Sequence, residues 1–396
     1  MPALKVDGEM RVLAPHRKMK SVSDRNRSFS TSWRRRAVRW ILLGCLVSGG
    51  VLTARAFTSE DADTLFEAHI KAFYEEKDGH AWFKESTRGG KVSYWMRAEQ
   101  MEMVLDAYER TKKPQQMEMF TRLFHGFLAD HGNTWDRNEF NDDIMWMVIA
   151  CIRAHLLNGN PEFLDAARKN FDLCYARAIS PDLGGGLWWK TDNRTKNACV
   201  NGPGAIAAFL LGRATGEASY ATKAKELFLW LRDTLFDPMT GRVSDHVNIN
   251  GRMNRKAWTY NQGTFVGAAN LLGYHDEARL AATYTMNEVC EDGYLPAAGE
   301  RDDSGGFNGI GVRWIARFVK DRGEQATFEP WLQKNAEAAW QARRASDHLC
   351  WSRWPQPTPP GRRYSWGCSS AVVVLQVVPP SEPVKPPETK PSETPE

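Results

Sequence analysis

The stretch NGPGAIAAFLL, residues Asn201–Leu211, is apolar on almost every face of a helix. A helix with this composition is buried on all sides, whereas an amphipathic helix lies at a surface. The stretch ATKAKELFLWLR, residues Ala221–Arg232, shows the amphipathic pattern, with an apolar stripe and a charged face. The two stretches therefore predict two kinds of helix, one inner and one outer.

The same alternation of segments continues along most of the chain. A charged amphipathic segment precedes a small, apolar one six times at a spacing of about 50 residues, which is typical of helical-hairpin arrays. The predicted pairs are 61–77 with 94–110, 115–130 with 141–157, 161–178 with 196–213, 218–235 with 260–273, 275–291 with 305–319, and 326–346 with 364–376. Six inner and six outer helices predict an all-α protein, an (α/α)6 barrel, over residues 57–378. An open solenoid is the alternative, but it needs polar capping repeats, and the sequence shows none.

The charge of the chain is uneven. Residues 1–55 contain 12 Lys and Arg against 3 Asp and Glu, a net charge of +9. The remaining residues contain 40 Lys and Arg against 45 Asp and Glu, a net charge of −5. A mildly acidic body without a basic stripe argues against nucleic acid as a partner. The last residues, 379–396, are rich in Pro and polar residues, which predicts a disordered tail.

Residues 1–56 are predicted to be a basic n-region followed by a secretory signal. The apolar run Trp40–Thr53 is shorter than the roughly 20 residues of a membrane span. It is followed by Ala54-Arg55-Ala56, which matches a signal-peptide cleavage site. We therefore expect an exported protein, periplasmic or extracellular, that begins near Phe57. An uncleaved membrane anchor through residues 40–54 is the alternative.

The segment Asn141-Asp142-Asp143 lies where the second inner helix is expected to begin. One polar side chain is enough to cap a helix, and we assign that role to Asn141. Two neighbouring acids repel each other, which raises one pKa and leaves an acid protonated near neutral pH. Glycoside hydrolysis needs such a pair, one carboxyl group to protonate the leaving oxygen and one that is ionised. The pair is therefore the catalytic candidate.

Polar and aromatic residues collect at the starts of the inner helices. These helices all run the same way in an alternating barrel, so their N-termini share one rim. Amides and indoles suit a neutral polyhydroxyl ligand. The residues predicted to bind it are Trp95, Glu99, Asn141, Trp189, Lys196, Asn197, Asn201, Tyr260, Asn261, Gln262, Phe307 and Arg313. No Cys or His pair has the spacing of metal ligands, so no metal and no cofactor are expected.

Packing roles stay open for several of these residues. Trp189 can pack within its loop, and Tyr260, Asn261 and Gln262 can position the fourth inner helix. Arg313 can pair with an acid such as Asp143 or Glu99. Asp302-Asp303 is a second acidic pair, but it lies in a Gly-rich loop without an apolar helix behind it and is the weaker catalytic candidate.

Five motifs between Ser93 and Arg317 together resemble glycoside hydrolase family 76, the endo-α-1,6-mannanase family. The motifs are Asn141-Asp142-Asp143 with Trp146, the loop Gly184–Trp189, Lys196-Asn197 with Asn201-Gly202, Thr259–Gly263, and Gly306–Trp314. The resemblance implies an (α/α)6 barrel and a retaining mechanism on α-1,6-linked mannan, without a metal. It also implies that Asp142 is the nucleophile and Asp143 the general acid/base. Asn308 stands where the family pattern has Lys, at a position that can tune a sugar subsite.

The expected protein is thus an exported α-mannan hydrolase, a monomer that binds mannose-containing oligo- or polysaccharides. A transglycosylase with the same residues is one alternative, and a non-catalytic carbohydrate-binding toroid is another. An isomerase or unsaturated-uronyl hydrolase on the same barrel is disfavoured. The former needs paired His on the inner helices, and the latter needs a more cationic cleft.

Overall fold

The computed structural model describes residues 56–380, which form a closed double ring of helices. The inner helices are α2 (Tyr94–Thr111), α4 (Asn141–Asn158), α6 (Ala198–Thr215), α8 (Thr259–Leu272), α10 (Phe307–Arg322) and α12 (Ser365–Val377). The outer helices are α1 (Ser59–Phe73), α3 (Pro114–His131), α5 (Pro161–Ala178), α7 (Ala218–Leu235), α9 (His275–Tyr284) and α11 (Gln325–Ala342). Each inner helix packs against the next, and α12 packs against α2. The ring is therefore closed, which confirms the (α/α)6 barrel and excludes the open solenoid.

The predicted signal segment, its anchor alternative and nearly all of the predicted tail lie outside the described residues. Within residues 56–380, no helix is both long and apolar enough to cross a membrane.

Small residues let the inner helices approach one another closely. A Cβ atom on Gly263 of α8 would lie 2.5 Å from the Cα atom of Gly311 on α10, so only glycine fits at this crossing. Glycines in the left-handed conformation also end four inner helices, where a residue with positive φ satisfies the last carbonyls. They are Gly159, Gly216, Gly273 and Gly323.

The two ends of the barrel differ in the length of their connections. At one end, each of the first five inner helices is joined to the next outer helix by two residues, as at 159–160 and 216–217. At the other end the connections are long, such as 179–197 and 236–258. The N-termini of the inner helices and the long loops therefore share one rim, as the sequence predicts.

Short strands, which the sequence analysis did not predict, occur in these loops. Helix α1 ends at Phe73 rather than near residue 77, because Tyr74–Lys77 (β1) pairs with His80–Phe83 (β2). The turn between them, Asp78-Gly79, has positive φ at both residues, 52° and 79°, as a two-residue hairpin requires. A second sheet joins β3 (Thr195–Asn197), β4 (His246–Asn248) and β5 (Met253–Asn254) in antiparallel order. This sheet links the loops that precede α6 and α8.

Candidate active site

Asp142 and Asp143 lie in the first turn of α4, at the rim that carries the long loops. Consecutive residues of a helix point about 100° apart, so both carboxyl groups emerge at the same level of the barrel. The Asp143 Oδ2 atom accepts a hydrogen bond of 2.9 Å from the Asn138 amide. The Asp142 Oδ1 atom is buried and has no hydrogen-bond partner within the described residues. A buried carboxylate oxygen without a protein partner is the kind of group that a bound ligand satisfies.

Both carboxyl groups bind protons more tightly than ordinary aspartates. Burial raises the pKa of Asp142 well above its usual value, and the charge of Asp143 raises it further. Burial raises the pKa of Asp143 to about 6. The hydrogen bond from Asn138 lowers this pKa, and the negative charge of Asp303 raises it. The larger rise in pKa is at Asp142, the residue that the family resemblance implies as nucleophile and that must be ionised to attack. The two carboxyl groups interact and titrate together. The raised pKa values therefore describe a pair that retains a proton, whichever of the two residues is the nucleophile.

Asn141 holds the neighbouring loop and does not cap α4, so the sequence-based cap assignment is wrong. The N-cap position is Phe140, and no side-chain hydrogen bond caps the helix. The buried Asn141 amide donates to the Trp188 carbonyl at 2.8 Å and accepts from Arg177 Nε at 2.7 Å. This fixes the Asp pair against the loop that carries Trp189. Asn141 therefore positions the site, and its own amide is not free for substrate.

Lys196 and Asn201 shape the same loop, and their side chains are not free for a ligand, contrary to prediction. The Lys196 ammonium is fully buried and donates to four loop carbonyls at 2.6–3.0 Å. The Asn201 side chain bonds both backbone groups of Leu187 and the carbonyl of Asn197. A Cβ atom on Gly186 would lie 2.4 Å from the Trp230 ring. The loop is thus packed tightly on the helices below it.

Gln262 is a further structural residue that the sequence analysis assigned to substrate binding. Its Nε2 atom donates to the carbonyls of Gly241 and Ala281, each at 3.1 Å, and its Oε1 atom accepts from the Val243 amide. Its polar atoms are thus used by the loop between α7 and α8 and by helix α9. In contrast, Asn197 and Asn261 each keep a buried side-chain oxygen without a partner among the described residues.

Glu99 and Arg313 lie below the rim in a buried ionic cluster, which corrects their assignment to substrate binding. Arg313 Nη1 is 2.6 Å from a Glu99 oxygen, and its Nε is 2.7 Å from Asp106. Glu102 and Arg153 extend the cluster from α2 to α4. Burial raises the pKa of Glu99 to about 8. The pairing of Arg313 with Glu99, left open by the sequence, is therefore observed.

Aromatic rings surround the cleft floor. Tyr260 stacks on Phe307 with ring centroids 3.9 Å apart, and Trp95 packs edge-on to Trp366 at 4.8 Å. Three of the half-exposed indole rings at the rim pack against aromatic residues at the starts of the inner helices, and these can lie against the apolar faces of sugars. They are Trp95, Trp189 and Trp258. The first two were predicted from sequence, whereas Trp258 was not assigned to substrate binding.

Asp303 is an additional carboxylate at the cleft. The side chains of Asp302 and Asp303 have different partners. Asp302 accepts a hydrogen bond from the Ser304 amide, whereas Asp303 contacts the indole ring of Trp95. The Trp95 indole donates to Asp303 Oδ1 at 3.4 Å, and the Trp366 indole donates to its carbonyl at 3.1 Å. Asp303 is exposed, and its charge acts on Asp143. It therefore belongs to the cleft without replacing the pair on α4.

Asp245 and His246 form a further group that the sequence analysis missed. The Asp245 carboxylate accepts from His246 Nδ1 at 2.8 Å and from the Asn261 amide at 3.1 Å. The Ala198 amide, at the start of α6, donates to the Asp245 carbonyl at 2.9 Å. Asp245 thus connects the sheet β3–β5 with the starts of α6 and α8. Its position before an inner helix, shared with the other clusters, is the signal that could have revealed it.

Comparison with known proteins places these features in one family. The family model described as glycosyl hydrolase family 76 matches residues 57–381. The mannan endo-1,6-alpha-mannosidase DFG5 of Saccharomyces cerevisiae is 27% identical over 245 residues, which cover 52% of this chain and 49% of the relative. A mannan endo-1,6-alpha-mannosidase of Candida glabrata, DCW1, is 32% identical over 150 residues, or 34% of each chain. The chain thus spans about half the length of the first of these curated relatives.

Solved structures match over more of their length. The GH76A α-1,6-mannanase of Salegentibacter sp. HEL1_6 is 31% identical, with a TM-score of 0.74, over 81% of this chain and 98% of that one. An inactive variant of that protein, in which two consecutive aspartates are replaced by asparagine, was solved with α-1,6-mannotriose and matches equally well. A Chaetomium thermophilum Dfg5 structure has the same fold, with 19% identity, a TM-score of 0.69, and 81% and 88% coverage of the two chains.

Proposed function

The chain belongs to glycosyl hydrolase family 76, and on that premise we propose that it is an exported enzyme that cleaves α-1,6-mannosidic bonds in α-mannan with retention of configuration. The observation that carries the proposal is the pair Asp142 and Asp143 at the open end of the barrel. Both carboxyl groups have raised pKa values, and one oxygen of Asp142 has no hydrogen-bond partner among the described residues. Binding alone does not need two adjacent acids.

The reaction runs in two displacements. The Asp142 carboxylate attacks the anomeric carbon and forms a mannosyl ester, while Asp143 donates its proton to the departing glycosidic oxygen. Asp143 then takes a proton from water, and the water oxygen attacks the anomeric carbon and releases Asp142. A pKa near 6 suits a group that must give and take a proton in turn.

The cleft offers contacts to a neutral sugar chain around this pair. Trp95, Trp189 and Trp258 present half-exposed rings. Asn197 and Asn261 keep buried side-chain oxygens that no described residue engages, and we infer that they accept hydrogen bonds from hydroxyls of a bound sugar. Substrate is thus held by stacking and by amides, without a metal or cofactor in the proposed chemistry. The solved complex of a 31% identical relative with α-1,6-mannotriose supports this substrate class.

The test compares Asp142→Asn and Asp143→Asn with the wild type on α-1,6-mannan. Removal of either carboxyl group should lower kcat by at least about 10³-fold, while both variants still bind α-1,6-mannotriose. Asp302→Asn is the matched control, because its side chain caps Ser304 in the same rim. Wild-type turnover in both pair variants would overturn the assignment. A wild-type protein that binds mannotriose without releasing product would favour a binding toroid.

A further inference from the structure

A basic depression lies beside the cleft, on the hairpin that joins β4 and β5. It has a volume of about 370 Å³ and is lined by His246, Asn248, Arg252, Met253, Asn254 and Arg255. The sequence from 248 to 256, NINGRMNRK, contains three cations and no acid. The part of the chain after residue 55 is acidic overall, with 45 Asp and Glu against 40 Lys and Arg. This local charge is therefore opposite to the net charge of the chain after residue 55.

The two arginines of the depression have no partner in the protein. Neither the Arg252 nor the Arg255 guanidinium makes a hydrogen bond or ion pair with any residue in the range 56–380. In contrast, the guanidinium of Arg177 on α5 is used within the protein for three hydrogen bonds. Both unpartnered side chains are exposed, so their donors are open to a ligand.

The backbone that carries these arginines is held in place. The Asn248 side chain accepts from the amides of Asn250 and Arg252 at 3.0 and 2.9 Å, and Gly251 donates to the Asn248 carbonyl at 2.8 Å. On the opposite strand, the Asn254 amide donates to Asp245 at 3.2 Å. The turn is therefore ordered before any ligand binds, which lowers the entropic cost of binding.

The depression is linked to the start of α8 by a chain of side-chain hydrogen bonds. His246 lines it and donates to Asp245, whose other oxygen accepts from Asn261 at the start of α8. The next residue along α8 in the N-terminal direction is Tyr260, which stacks on Phe307 in the cleft floor. The hairpin with Arg252 and Arg255 belongs to the connection 236–258, at the same rim of the barrel as the Asp pair.

We propose that the depression binds a phosphate ester group carried by the mannan chain. An unsubstituted mannan has no charge for two free guanidiniums to recognise, whereas the planar donor fork of arginine matches phosphate oxygens. Asp245, the acid that precedes β4, is already engaged by His246 and Asn254. The proposal rests on the proposed function for the sugar chain and adds a charged substituent to it.

The test uses one α-1,6-mannan oligosaccharide in two forms, phosphorylated and treated with phosphatase. Binding is measured by calorimetry in an Asp142→Asn background, so that no result depends on turnover. The double variant Arg252→Gln/Arg255→Gln should bind the phosphorylated form about tenfold more weakly and the neutral form equally well. Raising the ionic strength should shrink the preference for the phosphorylated form.

The matched control is Arg168→Gln/Arg279→Gln on the outer helices α5 and α9, which removes the same charge from exposed sites. An equal loss in this control would mean that only overall charge matters and would overturn the proposal. Equal loss for both glycan forms would also overturn it, as would competition by glucuronate as strong as that by mannose 6-phosphate. If the wild-type protein cleaves neither form but the phosphate preference persists through the two arginines, the proposed hydrolase function fails and this site stands.

Discussion

Replacement of Lys196 by Met tests whether this residue holds the active-site loop or contacts substrate. Its buried ammonium donates to the carbonyls of Ser180, Asp182, Gly185 and Gly186 at 2.9, 2.7, 2.6 and 3.0 Å. Asp182 and Gly186 each have a second, weaker backbone partner, whereas Ser180 and Gly185 have no other hydrogen bond from a described residue. Two part-buried carbonyls left without a donor, at the lower end of ~1–3 kcal/mol each, predict a loss of about 2 kcal/mol in the free energy of unfolding.

Urea unfolding, followed by far-UV circular dichroism, measures this loss from the midpoint and slope of the transition. Lys190→Met is the matched control from the same loop. Its ammonium lies 3.1 Å from the exposed Glu139 carboxylate, so its removal should cost less than ~1 kcal/mol. A Lys196→Met protein with wild-type stability but weaker mannotriose binding would refute the structural role and restore the sequence-based assignment.

Three further outcomes follow from the site and the barrel. Asp303→Asn removes a charge that raises the pKa of Asp143, so the alkaline limb of the kcat/KM profile should move to lower pH; an unmoved limb would disprove the coupling. Because the pKa of Glu99 is raised from 4.5 to about 8, the free energy of unfolding should fall as pH rises between these values, and Glu99→Gln should flatten that slope in urea titrations. Gly186 has a φ of +76°, and a Cβ atom there would lie 2.4 Å from an indole carbon of Trp230 on α7. Gly186→Ala should therefore lower the free energy of unfolding by about 2 kcal/mol more than Gly184→Ala, whose new Cβ atom meets nothing within 4 Å.

The barrel could be predicted from sequence because its two helix types differ in composition. Inner stretches such as Asn201–Leu211 are apolar all round, and only a second ring of helices can cover them. The spacing of the pairs then placed the starts of the inner helices at one rim. The hairpin β1–β2 was missed because the charged residues Glu75–Lys77 continue a helical pattern, although Asp78-Gly79 is a turn signal.

The catalytic pair could be located from sequence, but the use of its neighbours could not. A polar residue beside a cleft can bind substrate or satisfy the backbone, and sequence does not show which partner is nearer. The polar side-chain atoms of Lys196 and Gln262 are all used in hydrogen bonds to backbone carbonyls and amides. Asp245 and Asp303 lie in loops without periodicity, so only the folded chain brings them to the cleft.

The most direct test of the central claim is to trap the mannosyl–enzyme ester. The wild-type protein is incubated with a 2-fluoro-substituted mannosyl donor that carries a good leaving group, and the digested protein is mapped by mass spectrometry. The account predicts one adduct, on Asp142, and, with an unmodified α-1,6-mannan oligosaccharide, a product with retained α-configuration in proton NMR. An adduct on another residue, or a product of inverted configuration, would contradict it.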